Sequence, residues 1–402
     1  MVAHRVLRVR KWWVCTFIVG ADRVLLEGGE RMVVDDDPPG RPAQWAGPLT
    51  EIERCEDPGE LTAFLADHGL AGEPATQRGD VGIALLVGAA GCAAIGAVPP
   101  CRPSPSTVPE VVAVAYRRGG RPPRAAGPAQ VGPWTTSWND DEHAAAVELV
   151  RSAISRGELY QANVVGHRSA GWSGDPLALA RAVAALPGAT YGGVLSGPGW
   201  AVGSASPEQL VRVVGDRITT VPVKGTRVVE PGSEAALRAS DKDRAEHVMI
   251  VDLSRNDLAR VAVTGSVEVE ALYEVTAWSG LWHAGSRVAA TLTPGAGVIE
   301  VLAALLPGGS VTGAPKHAAC GLLAGIEPVG RGPAMGAFGF LWPGGLDLGL
   351  TIRTVAVDPT AIQLWAGGGI TWSSVPEAEV AEAHAKAAPV LTALAQVRPS
   401  AS

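Results

Sequence analysis

Lysine is scarce in this chain: only five of its 33 basic residues are Lys, and the rest are Arg. Where a fixed positive charge suffices Arg serves, so a retained Lys points to what an amine can do and a guanidinium cannot, which is to shed its proton and attack carbon. Cysteine is scarce too. The five, at positions 15, 55, 92, 101 and 320, are odd in number and never spaced C-x-x-C, which excludes a disulfide framework or structural zinc and suits a reducing cytoplasm. Basic excess is missing: the net charge is -7 and no stripe of Lys and Arg is interleaved with aromatics, which argues against nucleic acid as a main partner. Long apolar runs are missing as well. The stretch 82–98 is mostly Gly and Ala and falls short of about 20 strongly apolar residues, so it reads as a buried hairpin. The run Trp12–Gly20 is too brief for a leader and lacks a convincing small-residue cleavage site, and reads as a strand. A nucleotide loop is absent. GGSVTGAPK at 308–316 has Ala314-Pro315 where a phosphate loop needs Lys and then Ser or Thr. What survives is a Gly-rich loop feeding a helix N-terminus, where free N–H groups attract an anion such as a carboxylate.

A length of 402 residues, 47% hydrophobic and 18% charged, describes a globular protein with ample core. Residues 1–135 form a weakly specified N-terminal region expected to pack on the core, with short strands, turns and a linker-like stretch at 117–132. Residues 136–398 carry sharper signals. Acidic residues open a helix of about four turns at Asp140, stopped by Gly157. A strand is expected over 158–165 and a helix over 175–186. Strands 209–214 and 217–223 flank Gly215-Asp216, which suits a type II′ hairpin turn; pairing position i with 431 minus i then places Glu208 near Lys224. Ser240 to Asp243 opens another helix through Leu253 in the manner of a capping box. Helices are also expected over 299–306, from Pro315 to about Gly325, and from Pro376 to about Val397 with a kink at Pro389. Strands 335–341 and 346–357 surround Pro343-Gly344-Gly345, the second with Leu346, Leu348, Leu350 and Ile352 on one face and Asp347, Thr351 and Arg353 on the other. Hairpins mixed with helices, without regular strand–helix alternation, indicate an α+β fold.

Several residues stand out chemically, each beside a plainer reading. Lys224, in VPVKGTR, could be a solvated strand lysine. Glu379 and Glu382 share a helix face, as surface carboxylates often do, and Glu246 in DRAEH is unremarkable alone. Arg353, just before the Gly367-Gly368-Gly369 turn, could be a surface Arg or a bidentate carboxylate ligand.

Together, ELYQAN, SASPE, VPVKGTR, DKDRAEHVMIVDLSRNDLAR, GGSVTGAPK, GPAMGAFGF, LTIRT, AGGGI and SVPEAEVAEAHAKA resemble, in order and spacing over about residues 136–395, the chorismate-utilising enzymes. That family includes the large subunits of anthranilate and aminodeoxychorismate synthases, isochorismate synthase and salicylate synthase. The resemblance implies two large, mostly antiparallel sheets packed as a sandwich with helices outside and a site in the cleft between them. It implies Mg²⁺ held by Glu246, Glu379 and Glu382 over the ring carboxylate of chorismate, hard oxygen ligands suiting that ion. It implies a general acid in Glu208, a site histidine in His283, and Arg353 with the backbone about Gly368 and Gly369 on the enolpyruvyl carboxylate. Further substrate contacts are implied for Gln161, Thr226, Thr312, Gly313 and Lys386.

Two positions sort the subfamilies. Isochorismate and salicylate synthases carry a water-activating Lys where this chain has Gln161, which cannot act as a base. Anthranilate synthases carry Ala where this chain has Lys224, and aminodeoxychorismate synthases carry Lys. The nearest resemblance is thus to the aminodeoxychorismate synthase large subunit, which makes 4-amino-4-deoxychorismate for p-aminobenzoate. The chain departs from the family at Ala334, where a tyrosine is usual, and in LWHAGS around His283. No glutaminase signature of the G-x-C-x-G type is present and no run is left over to house that domain, so ammonia is expected from a separate glutamine amidotransferase subunit. The rivals are an anthranilate synthase large subunit and a degenerate protein that binds chorismate without turnover.

Overall fold

The computed structural model describes residues 16–20, 23–27, 49–118, 126–278 and 281–397, and the part of the expected N-terminal strand at Trp12–Cys15 lies outside them. Strands are joined into two ladders. The first runs Leu49–Cys55, Val111–Arg118, Val81–Val87, Ala337–Trp342, Gly345–Leu350, Gln209–Val214, Arg217–Val221, Leu281–Thr291, Glu268–Trp278, with Val223–Val228 also laid on Leu281–Thr291. The second runs Thr16–Gly20, Gly193–Gly197, Trp200–Ser204, Thr354–Val357, Ile362–Ile370, Gln161–Gly174, Ala129–Thr136. Arg23–Glu27 bridges them, pairing along Thr16–Gly20 and meeting the first ladder at Val24 and Leu49. Among the described residues only the pairing of Thr16–Gly20 with Gly193–Gly197 is parallel. This is the expected α+β fold of two large antiparallel sheets.

The helices form where their caps and apolar spacing dictate. Asn139 accepts the Glu142 N–H while Glu142 reaches back to the Asn139 N–H, so a full capping box opens Asp140–Ser155. Ser240 accepts from the Asp243 N–H to open Asp241–Ala259, and Pro376 starts the last helix, Pro376–Ala395, which runs through Pro389 as one element. That helix lies on strand Ile362–Ile370 and against helix Asp140–Ser155. No helix of the described residues is long and apolar enough to cross a membrane.

Four expectations are corrected. Residues 82–98 are a strand, Val81–Val87, followed by a helix, Ala89–Ile95, because small residues that pair on a ladder also pack well as a buried helix. The linker-like stretch has strand at both ends, in Val111–Arg118 and Ala129–Thr136. Gly367, Gly368 and Gly369 form no turn; they lie inside strand Ile362–Ile370, opposite Val165, Val164 and Asn163. The single strand expected over 346–357 is two strands in different sheets, Gly345–Leu350 and Thr354–Val357. The chain crosses between the sheets at Arg353, which has a left-handed φ of 51°. Both faces of Gly345–Leu350 are buried, Asp347 and Thr351 included, so the apolar–polar alternation there does not separate core from solvent.

Candidate active site

The hairpin about Gly215 sets up the site. Gly215 alone of the two turn residues has a positive φ, 63°, as a type II′ turn requires. The expected pairing holds from Val214↔Arg217 to Arg212↔Thr219, then slips by one at Gln209↔Val221 through a bulge. Pro222 ends the second strand, and Val223–Val228 continues along Leu281–Thr291, in register at Val223↔Gly285 and then shifted between Val223 and Thr226. Bulges re-aim side chains. Here the bulge contains Lys224 and Gly225, the latter at φ 77°.

Lys224 faces the opposite sheet. A Cβ built on Gly369 would lie 3.3 Å from Lys224 Nζ and 2.5 Å from Gln161 Nε2, so only a glycine in one sheet lets an amine from the other sheet and a neighbouring amide approach this strand so closely. Gln161 is 1% exposed, and neither its Nε2 nor its Oε1 has a hydrogen-bond partner among the described residues. Buried amides are normally satisfied, and two orphaned atoms on one buried amide are what a site awaiting a polar ligand leaves behind.

One residue along, a Cβ on Gly368 would lie 3.1 Å from Glu379 Oε2, 3.5 Å from Glu382 Oε1 and 3.7 Å from Lys386 Nζ. The first turns of the last helix thus bring both carboxylates and Lys386 to the same strand. Lys386 donates to the Gly367 carbonyl at 3.0 Å and pairs with Glu382 at 2.6 Å. Ser374 donates to Glu379 Oε1 at 2.6 Å. Glu246 approaches from helix Asp241–Ala259, with Lys242 at 3.8 Å.

Electrostatics divides these groups. Burial pulls the Lys224 ammonium below the ordinary lysine range and Lys386 adds to it, against the opposing pull of Glu246 and Glu208. Burial pushes the Glu208 carboxyl up, against Ser310 and Lys224. Glu246 is likewise pushed up by burial, with Lys224 opposing and Glu379 adding to it. For Glu382 burial would raise the carboxyl, but Lys386, together with Lys242 and Lys224, outweighs it and holds the group below its usual range. Burial, with Arg353 near, lowers the imidazole of His283 to about 4, so His283 is neutral at pH 7; its Nδ1 lies 3.3 Å from Thr226 Oγ1.

The structure therefore brings together Gln161, Glu208, Lys224, Glu246, Gly368, Gly369, Glu379, Glu382 and Lys386, with His283 and Arg353 beside one another. It does not turn the Thr312 hydroxyl to them: that group donates to the Gly308 carbonyl at 2.6 Å. Gly313 serves as backbone, paired with Ala162, and a Cβ there would meet the Gln161 carbonyl at 2.2 Å. Ser374, Lys242 and Ser310 escape sequence reasoning, since a lone hydroxyl or helix lysine carries no spacing signal.

Glu379 and Glu382 meet at Gly368 and Glu246 feels the charge of Glu379, but among the described residues no three His, Cys, Asp or Glu side chains are grouped closely enough to hold a metal ion. The donor type, carboxylate oxygen from two helices, suits a hard cation such as Mg²⁺, although Glu382 is paired with Lys386.

A family model described as chorismate binding enzyme matches residues 102–392. Among curated proteins, anthranilate synthase component 1 of Streptomyces coelicolor is 37% identical over 70% of this chain and 57% of its own length. The protein of the same name from Thermus thermophilus is 38% identical over 63% of this chain and 57% of its own length. The chain thus spans a little over half the length of these relatives. Among solved structures, anthranilate synthase component I of Streptococcus pneumoniae superimposes with a TM-score of 0.71 at 22% identity, covering 97% of this chain and 94% of that one. The menaquinone-specific isochorismate synthase of Escherichia coli gives 0.67 at 18% identity, over 87% and 86%. These two likenesses speak to the fold.

Proposed function

Because this chain belongs to the chorismate binding enzyme family, we propose that it aminates chorismate at C4, acting as the synthase component of a 4-amino-4-deoxychorismate synthase on the way to p-aminobenzoate, in the cytoplasm. The observation that carries the reading is the pairing of Lys224 with Glu208. Burial lowers the amine's proton affinity and raises the carboxyl's, a divergence that favours attack by the one and release of a leaving group by the other. Lys224 Nζ attacks ring carbon C2, both ring double bonds shift, from C1=C2 and C5=C6 to C1=C6 and C4=C5, and the C4 hydroxyl departs as water with the proton of Glu208. Ammonia then attacks C4, both double bonds shift back and the lysine is expelled as a neutral amine, while the Glu208 carboxylate takes up the proton that the incoming nitrogen sheds.

Gln161 supports amination over hydration: its amide can hold a small nucleophile by hydrogen bonds but cannot deprotonate water. Glu246, Glu379 and Glu382 would hold Mg²⁺, which supplies positive charge against the ring carboxylate. Arg353, with the backbone at Gly368 and Gly369, would grip the second carboxylate. Ammonia would come from a separate glutamine-hydrolysing subunit, in keeping with the name component 1 borne by the relatives.

A second reading, the large subunit of an anthranilate synthase, is favoured by those same names. The two part at the ring position that receives nitrogen. The purified chain is incubated with chorismate, Mg²⁺ and ammonium, a lyase is added, and p-aminobenzoate is resolved from anthranilate. Anthranilate as the main product overturns the C4 assignment, and neither product in the presence of bound chorismate leaves a binding protein without turnover.

A further inference from the structure

His247 follows a proposed metal ligand in sequence yet points away from the carboxylates, and it is fully buried. Its Nε2 lies 2.8 Å from the carbonyl oxygen of Lys224 and 3.0 Å from that of Ala284. Its Nδ1 lies 2.9 Å from Ser286 Oγ, and that oxygen also accepts the Tyr273 N–H at 3.0 Å. The partners settle the tautomer. Two carbonyls can only accept, so Nε2 carries the hydrogen and donates to both; Ser286 then donates its own hydrogen to Nδ1.

Backbone geometry explains why Lys224 needs this donor. Between Val223 and Thr226 the pairing with Leu281–Thr291 shifts register, and within a bulge ladder hydrogen bonds are disrupted. Gly225 stands at φ 77°, and a Cβ there would lie 2.9 Å from Leu237 Cδ1 and 3.0 Å from Asp243 Cγ. The bulge is thus pinned from one side by helix 233–238 and from the other by His247, whose imidazole ties the carbonyl of Lys224 to strand Leu281–Thr291 and helix Asp241–Ala259 at once.

We infer that His247 is a positioning residue for Lys224: its Nε2–H, shared between the Lys224 and Ala284 carbonyls, holds the bulge in the form that aims the lysine amine across the cleft toward Gly369 and Gln161. It touches no reacting atom. The inference rests on the reading of Lys224 as nucleophile, and the experiment separates the two.

The variants are His247→Gln, whose side-chain amide can place a donor near the Nε2 position, His247→Asn, whose amide reaches only the Nδ1 position, and His247→Leu, which has no donor. Each is checked for fold by circular dichroism and thermal unfolding. The expected kcat for the aminated product falls at least tenfold in the Leu and Asn variants while KM for chorismate stays within about twofold, and the Gln variant recovers most of the loss. If the Leu variant does not fold, the comparison of Gln with Asn decides.

A second readout ignores turnover. Limited reductive methylation followed by peptide mass spectrometry compares labelling of Lys224 with the chain's other four lysines, and its relative labelling should change at least threefold in the Leu and Asn variants and not in the Gln variant. Unchanged kcat together with unchanged labelling overturns the positioning role, as does a Gln variant no better than Asn. If Lys224→Ala keeps the full amination rate while the labelling pattern follows His247 as expected, the nucleophile reading fails and the positioning of the amine stands.

Discussion

Replacing each of the three consecutive glycines in strand Ile362–Ile370 by alanine should separate stability from catalysis, because the added methyl meets something different each time. None of the three has a positive φ, so alanine brings no backbone strain and a small entropic gain of about 0.4–1 kcal/mol. At Gly367 the new Cβ would lie 1.9 Å from the Val164 carbonyl oxygen and 2.7 Å from Val165 Cα. Those are backbone atoms of a paired strand and cannot step aside, so Gly367→Ala should cost about 3 kcal/mol or more in stability. At Gly369 the nearest atoms are Gln161 Nε2 and Cδ, at 2.5 and 3.1 Å, then Lys224 Nζ at 3.3 Å. All belong to side chains that can move, so Gly369→Ala should fold within about 1 kcal/mol of wild type while pushing the amide and the amine from their positions. A displacement near 1 Å in a reacting group costs about 100-fold in rate, and kcat should fall by that order. Gly368→Ala meets only the tips of Glu379, Glu382 and Lys386, at 3.1 to 3.7 Å, and should be intermediate in activity and near wild type in stability. Urea unfolding and steady-state kinetics with chorismate and ammonium measure both quantities. If Gly369→Ala keeps wild-type kcat and KM, the reaction does not occur over Gly369; if Gly367→Ala is as stable as wild type, the strand pairing is wrong.

Glu246→Gln or Glu382→Gln should reduce turnover about 100-fold or more, since each removes charge from the proposed Mg²⁺ shell, and full activity in excess chelator would sink that assignment. Gln161→Lys should allow some isochorismate to form at the expense of amination, whereas abundant isochorismate from the unaltered chain would contradict the role given to this amide. Lys224→Ala should lose most C4 amination, with residual nitrogen entering at C2. In the unaltered chain, chorismate without ammonia should leave an adduct on the Lys224 peptide, and an undiminished rate in Lys224→Ala would reduce the lysine to a nearby charge. His167, buried and lowered to about 4 chiefly by burial, favours the folded state while neutral, so its contribution is full above about pH 6.5 and drains away as pH falls towards 4. Asp257, raised to about 6 by burial, acts with the opposite sign, so the test is a difference. The urea midpoint of His167→Gln should fall less between pH 7 and 4.5 than that of wild type, and parallel curves would refute the assignment.

Much of this architecture was legible in the residues. Turn glycines, caps and helical spacing mark the hairpin about Gly215 and the helices opened at Asn139 and Ser240, since each depends on groups within four residues of one another. The glycines at 367–369 mislead because the same residue type serves turns and crowded strand pairings, and only the partner strand reveals which. Arg353 misleads for a related reason: nothing local distinguishes a strand from two strands joined by a crossover when both faces are buried. At the site, carboxylates three apart on a helix announce a shared face, but that Lys386 neutralises one and Ser374 ties another depends on where the helix lands. The orphaned amide of Gln161 and the tie from His247 to Lys224 are tertiary facts, because the first depends on a strand about 200 residues away and the second on how a helix packs against a bulge 23 residues earlier.

The strand order also sets a schedule for synthesis. Val81–Val87 and Val111–Arg118 pair with each other early, but the open edge of Val81–Val87 is completed by Ala337–Trp342, some 250 residues later in the chain. At roughly 5–20 residues per second, a ribosome leaves that edge uncovered for about 10 to 50 s. The side chains along it, Ile83, Leu85 and Leu86 among them, are fully buried in the finished protein, so the nascent chain displays a sticky, half-built sheet for most of its translation. Truncated products ending before residue 337 should therefore accumulate in aggregates or on chaperones, and release from the ribosome, rather than emergence of the first region, should be the moment at which protease resistance appears.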